Sequence, residues 1–185
     1  MTKIVNHLYN GEVDLIFEGA KHKYFYEDKP VKSVTGILGI ISKPMLVNWA
    51  AKMTADKMTE LIKPGVAYDE IQLKEMIETS KRAHFHTMKS AADIGSLVHD
   101  YLSQVILKQH PGALVHQEAA NAAQRFMDWV SENEVEFLLS EQVVFSKKHN
   151  FCGTLDFVCR VGGKLMLGDI KTSNALHKIE MVAQM

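Results

Sequence analysis

The dipeptide Gly162-Gly163 constrains the fold more than any other feature of the chain. It joins two apolar, β-prone runs, Gly153–Val161 and Lys164–Lys171, and paired glycines suit a two-residue hairpin turn whose central positions take positive φ. The turn sets the register. Val161 faces Lys164, and every later pair of residue numbers adds to the same total, so Asp156 faces Asp169. A four-residue loop centred on the same glycines leaves that pairing unchanged. Cross-strand partners hold their Cβ atoms about 4.5–5.5 Å apart, and Lys171, two residues past Asp169, points to the same side. The opposite face reads Leu155, Phe157, Cys159 and Val161, then Met166 and Ile170, and this is a core face. Two opposed carboxylates repel each other and want a cation or a shared proton. Lys171 supplies one charge, and a divalent metal suits both acids better. Hard oxygen donors favour Mg2+ or Mn2+. The plainer reading is an Asp–Asp–Lys charge cluster on a solvated sheet face.

Elsewhere the pattern is mixed. The first thirty or so residues alternate polar and apolar positions and read as short strands, with Glu27-Asp28-Lys29-Pro30 as a turn. Ser42-Lys43-Pro44 reads as a helix start, with Ser42 as N-cap, and Pro64-Gly65 ends that helix. Helices are expected over 68–80, 83–109 and 114–133, the last burying Ala119, Ala122, Phe126, Trp129 and Val130. Phe137–Ser146 is a further strand, followed by a polar turn over Lys147–Asn150, and the chain turns helical again from Asn174. The expected fold class is α/β, of the mixed α+β kind: a mostly antiparallel meander flanked by helices, with an N-terminal β-hairpin and a helical region. The 185 residues, 46% hydrophobic and 23% charged, suit one domain and exclude disorder as the main state. Residues 1–63 form its N-terminal hairpin and helix region, and residues 83–185 its core. No stretch approaches the ~18 apolar residues of a membrane helix. No signal sequence is visible at the start, and the two cysteines build no disulfide framework, so a cytoplasmic setting is expected. The formal net charge of −1 conceals mildly basic ends around an acidic middle, which permits a local phosphate-binding surface.

The motifs Gly153-Thr154-Leu155-Asp156 and Gly168-Asp169-Ile170-Lys171-Thr172 resemble the signature of the PD-(D/E)xK nuclease superfamily, an acid on one strand and acid–x–Lys on the next. Upstream, Gly95-Ser96-Leu97-Val98-His99 is similar to the Gly-x-x-x-His helix of the RecB-like branch. Ser33-Val34-Thr35, Ile37-Leu38 and Trp49 resemble the opening region of its phage-type exonucleases. The resemblance covers about residues 20–184. It implies a restriction-endonuclease-like core and a Mg2+-dependent deoxyribonuclease, an exonuclease hydrolysing phosphodiester bonds in phage or bacterial DNA recombination or repair. Mn2+ can substitute, and DNA and recombination or repair proteins are the implied partners. It further implies that Asp156, Asp169 and Lys171 are catalytic, with His99, Asp156, Asp169 and the backbone carbonyl of Ile170 holding the metal. Glu141, at the start of its strand, and Gln184 are supporting positions. Gln184 falls where the family's Gln-x-x-x-Tyr helix begins, so the core is expected to be cut short at its C-terminal end. Some relatives hold an iron–sulfur cluster through a Cys ahead of the His helix. No Cys precedes His99, so no cluster is expected.

Hydroxyls at a helix start and exposed lysines can contact phosphate, which makes Ser33, Thr35, Lys147 and Lys148 candidate DNA contacts, with N-capping or a solvated surface as the simpler role of each. Two other classes compete with the nuclease: a non-catalytic DNA-binding or assembly module that has kept the fold, and an unrelated α+β protein whose acidic hairpin binds a structural cation.

Overall fold

The computed structural model describes residues 3–40 and 44–172 of the chain. The chain divides into two compact units, residues 1–41 together with 97–185, and residues 42–96.

The first unit is a mixed α/β structure around a seven-stranded sheet. The strands are β1 (Lys3–Leu8), β2 (Val13–Glu18), β3 (Lys23–Tyr26), β4 (Lys29–Ser33), β5 (Val135–Ser146), β6 (Phe151–Val161) and β7 (Lys164–Gly168). The first four form an antiparallel meander. Glu27 and Asp28 alone make the β3–β4 turn, both with positive φ (49° and 59°). That leaves Lys29 and Pro30, expected in the turn, as the first residues of β4, paired with Tyr26 and Phe25. A short helix α1 (Val34–Leu38) follows directly, N-capped by the Ser33 hydroxyl, which accepts from the Gly36 N–H.

β6 is the hub of the sheet. β5 pairs with it antiparallel along its whole length, whereas its other edge is shared. There β4 runs parallel to its start, ending at Ser33↔Cys152, and β7 runs antiparallel to its second half, ending at Phe157↔Gly168. Gly153–Asp156 lie between those ends, and among the described residues no strand covers them on that side. The β6–β7 register is the expected one, from Val161↔Lys164 to Phe157↔Gly168, with Gly162 and Gly163 at φ 53° and 78°. β7 stops at Gly168, however, short of Asp169–Lys171.

Packed groups lie on both faces of β6 among the described residues. Val13, Leu15, Val31, Phe145 and Cys152 form a buried cluster bordered by Tyr24 and Tyr26, and the Tyr9 hydroxyl donates to the Phe145 carbonyl at 2.7 Å. On the other side of β6, Phe157 sits among Phe126 and Trp129 of α5 (Gln117–Glu132) and Phe137 of β5, with ring centroids 5.6–6.3 Å from its own. Cys159 and Ile170 are buried on this face, as expected, but Met166 is 47% exposed. It lies nearer the hairpin turn, past the aromatic group that covers Phe157.

The second unit contains α2 (Pro44–Leu61), α3 (Glu70–Lys81) and the first part of α4 (Ala83–Ile106). Asp69 caps α3 through a capping box with Gln72. Ser80 is buried and donates to the Met58 sulfur at 3.8 Å. The expected N-cap Ser42 and the helix from Asn174 lie outside the described residues. No described helix is long and apolar enough to cross a membrane.

Candidate metal centre

Asp156 organises the site. At this residue β7 has ended, and the Asp156 carboxylate takes over from the ladder: its Oδ2 accepts the Ile170 N–H at 2.6 Å. The chain carrying Asp169 and Lys171 is thereby pinned beside Asp156 without being part of the strand. Asp156 is a half-buried residue whose side chain is only 14% exposed.

His99 reaches the same carboxylate from α4. Val98, Leu102 and Ile106 repeat every four residues and are buried, as one stripe of an amphipathic helix should be. His99, next to Val98, puts its Nδ1 3.6 Å from Asp156 Oδ1.

The third member is Glu141. In the β5–β6 register it stands opposite Asp156, between Ser140↔Phe157 and Gln142↔Leu155. It lies in the middle of β5, not at its start as expected. Its φ is +49°, a left-handed backbone in the middle of a strand, which costs an L-residue roughly 1–2 kcal/mol. Beside it the Ser140 hydroxyl donates to the Asp156 carbonyl at 3.1 Å. One donor atom each from His99, Glu141 and Asp156 all lie within 4.8 Å of one another.

The electrostatics follow from this crowding. Desolvation raises the Asp156 carboxyl above its ordinary range, and the Asp169 charge adds to the rise. The Ile170 N–H, His99 and Lys171 pull the other way. Glu141 is raised as well, first by desolvation, then by the charges of Asp156 and Asp100, with His99 opposing. A cation would favour the charged form of both carboxylates, of which Asp156 is largely withdrawn from water and Glu141 is exposed. An imidazole with two or three carboxylates is a donor set for a small divalent cation, and Mg2+ or Mn2+ fits it.

Asp169 and Lys171 form an ion pair next to this cluster, with Lys171 Nζ 2.9 Å from Asp169 Oδ2 and 3.0 Å from Oδ1. Asp169 is close enough to influence Asp156 but is itself engaged by Lys171. Ile170, expected as a carbonyl ligand, contributes its N–H to Asp156. The set the structure draws tightest is thus His99, Glu141 and Asp156, with Asp169 and Lys171 alongside.

The remaining candidates divide. Ser33 and Thr35 line a cavity that ends at Asp156 and Asp169. Their hydroxyls lie 3.1 Å apart, and Ser33 also caps α1. Lys147 is paired with Glu12 at 3.0 Å and sits over the Tyr9 ring, so its charge is already used. Lys148 is exposed. Gln184 lies outside the described residues. Tyr24, which the sequence did not single out, and Thr154, noted there only as part of the Asp156 motif, line the same cavity with their hydroxyl oxygens 3.4 Å apart.

No protein-family model matches the chain, and a search of the curated proteins returns no match.

Proposed function

We propose that this protein is a metal-dependent DNA nuclease with a restriction-endonuclease-like core, of the PD-(D/E)xK kind its motifs resemble. The observation that carries the reading is the convergence of His99, Glu141 and Asp156 within 4.8 Å, with the Asp169–Lys171 pair beside them. A charge cluster on a solvated sheet face has no need of a left-handed Glu141 or of an Asp156 carboxylate that is largely withdrawn from water.

His99, Glu141 and Asp156 would hold the metal, with Asp169 able to join them. A bound Mg2+ or Mn2+ supplies Lewis-acid polarisation of a phosphoryl oxygen and a bound water acidic enough to ionise near neutral pH. The protein's own groups do the rest. The Ile170 N–H fixes one Asp156 oxygen and so orients the carboxylate. Asp169 holds the Lys171 ammonium at the edge of the cluster, where it stabilises negative charge developing on a phosphate. An ammonium has no lone pair to offer a metal, so Lys171 serves the substrate and not the ion.

The test is cleavage of 5′- and 3′-labelled linear DNA beside a covalently closed circle, with Mg2+ or Mn2+, by the parent and by Asp156→Asn. Metal-dependent release of label from ends, absent in the variant, is the expected result. Cutting circles as fast as linear DNA removes the exonuclease part of the reading, and equal activity in the variant removes all of it.

A further inference from the structure

The gap on the β6 edge has a shape and a chemistry of its own. β4 covers β6 as far as Cys152 and β7 from Phe157, so Gly153–Asp156 border an opening about four residues long. The Asp156 carbonyl receives the Ser140 hydroxyl and therefore faces β5. Strand alternation turns the N–H and C=O of Leu155 to the opposite edge, into the opening. The cavity there measures about 400 Å3, at the small end of the roughly 300–1,000 Å3 range of small-molecule sites. Tyr24, Thr154, Ser33 and Thr35 supply hydroxyls to its wall, Val34, Leu155 and Leu167 supply apolar surface, and Asp156 and Asp169 close one end. Among the described lining residues there is no Lys or Arg, and His22 is the one side chain that can carry positive charge.

We infer that this opening is a nucleoside subsite, which takes the base and sugar of one unpaired nucleotide while the adjoining phosphate lies at the acidic end. The inference rests on the nuclease reading and deepens it. A wall with His22 but no Lys or Arg among its described lining residues suits phosphate poorly, whereas an aromatic ring, apolar walls and neutral hydroxyls suit a base and a deoxyribose. An extended peptide pairing with the β6 edge is the other occupant a bare strand invites. It fits poorly, because among the described residues only Gly153–Asp156 are uncovered, about four residues, and at the far end the Ile170 N–H is already bound to the Asp156 carboxylate.

The probe is a short single-stranded oligonucleotide with 2-aminopurine as its terminal base, titrated with Ca2+ present and again in EDTA. Cleavage of labelled linear DNA in Mg2+ is measured on the same preparations. The variants are Tyr24→Leu, which removes the ring, and Thr154→Val, which removes an exposed hydroxyl at little risk to folding. Stacking in the subsite quenches 2-aminopurine on the parent. Tyr24→Leu is expected to lose the quench and weaken binding about five- to 160-fold, the range of one lost base–aromatic stack, and Thr154→Val to raise KM more than it lowers kcat. If the parent cleaves DNA but neither variant changes quench, affinity or KM, the subsite is wrong and the nuclease reading stands. If the parent binds and quenches through Tyr24 yet cleaves nothing, the subsite stands and the catalytic reading falls. Binding of a short apolar peptide to the parent, weakened by Thr154→Val, with no quench of 2-aminopurine by the parent, assigns the opening to a peptide strand and overturns the inference.

Discussion

Replacing Gly168 with Ala puts a methyl group where the Phe157 ring already is. A Cβ at Gly168 would stand 2.0, 2.2 and 2.6 Å from Phe157 Cζ, Cε2 and Cε1, against an optimal carbon–carbon separation of about 3.5–4.0 Å. The two residues are direct cross-strand partners, so the backbone cannot open locally without breaking the last rung of the β6–β7 ladder. The ring cannot swing away either: it is 5% exposed and is packed against Phe126, Trp129 and Phe137. A retreat of about 1.5 Å is required to restore contact distance. Overpacking a filled core typically costs ~1–3 kcal/mol, and a rigid ring with fixed neighbours belongs at the upper end. At about 2–4 °C per kcal/mol for a chain of this length, thermal unfolding should fall by about 6–12 °C. The cause is separated from a general glycine effect by Phe157→Leu. The double variant should recover at least about 1 kcal/mol relative to the sum of the two singles, because the bulk that clashes has gone. Additive costs, or a Gly168→Ala variant that melts with the parent, would refute the steric argument. A second consequence is functional, since Gly168 immediately precedes Asp169 and any shift of that backbone moves the acid.

Asp156→Asn should abolish Mn2+ binding in a calorimetric titration and Asp169→Asn should weaken it, whereas binding unchanged in both removes the metal site. Lys171→Ala should lower single-turnover cleavage by on the order of 10²–10³, by analogy with loss of one charge-stabilising donor, while Mn2+ affinity holds or rises. Cleavage at the parent rate would leave Lys171 as a charge-balancing residue only.

The β6–β7 hairpin was legible because a two-glycine turn leaves one register, and extending that register past Gly168 brings Asp169 to Asp156, beside which it lies. A β-strand and a β-prone irregular segment look alike in sequence, so the end of β7 at Gly168 was not legible: it depends on a side-chain acceptor, Asp156, replacing the ladder. Glu141, expected as a supporting position at the start of its strand, is the instructive case. The polar turn Lys147–Asn150 joins Ser146 to Phe151, and the same arithmetic applied to that turn sets Glu141 opposite Asp156. The signal was present, but a turn without glycines specifies its register weakly, and the ladder also shifts between Phe137 and Leu139. Tyr24 carries no local motif, and the motif that holds Thr154 says nothing of Tyr24. They meet only because β4 joins β6 in parallel across a separation of more than a hundred residues.

Glu141 also allows the clearest separation of a site from an incidental cluster, because the arrangement is unfavourable by itself. Its backbone is left-handed without being glycine, and its carboxyl is raised above the ordinary value of 4.5 by desolvation and by Asp156. A raised folded-state pKa means the native protein binds more protons than the unfolded chain. The associated stability is fully present below 4.5 and is lost as pH rises through the folded value. In EDTA, Glu141→Gln should therefore match the parent in acid and exceed it near neutral pH. Glu141→Gly relieves the roughly 1–2 kcal/mol of left-handed strain at the expense of about 0.5–1 kcal/mol of chain entropy, so it too should melt no lower than the parent. Mn2+ should reverse the order, since a ligand at a hundred times its Kd adds about 2.7 kcal/mol to the protein that binds it and nothing to one that does not. Thermal melts of the three proteins, with and without Mn2+, read both halves. A parent that is already the most stable in EDTA contradicts the strain argument, and a parent that gains nothing from Mn2+ contradicts the site. Only a reversal fits a cluster held in an unfavourable geometry for a cation.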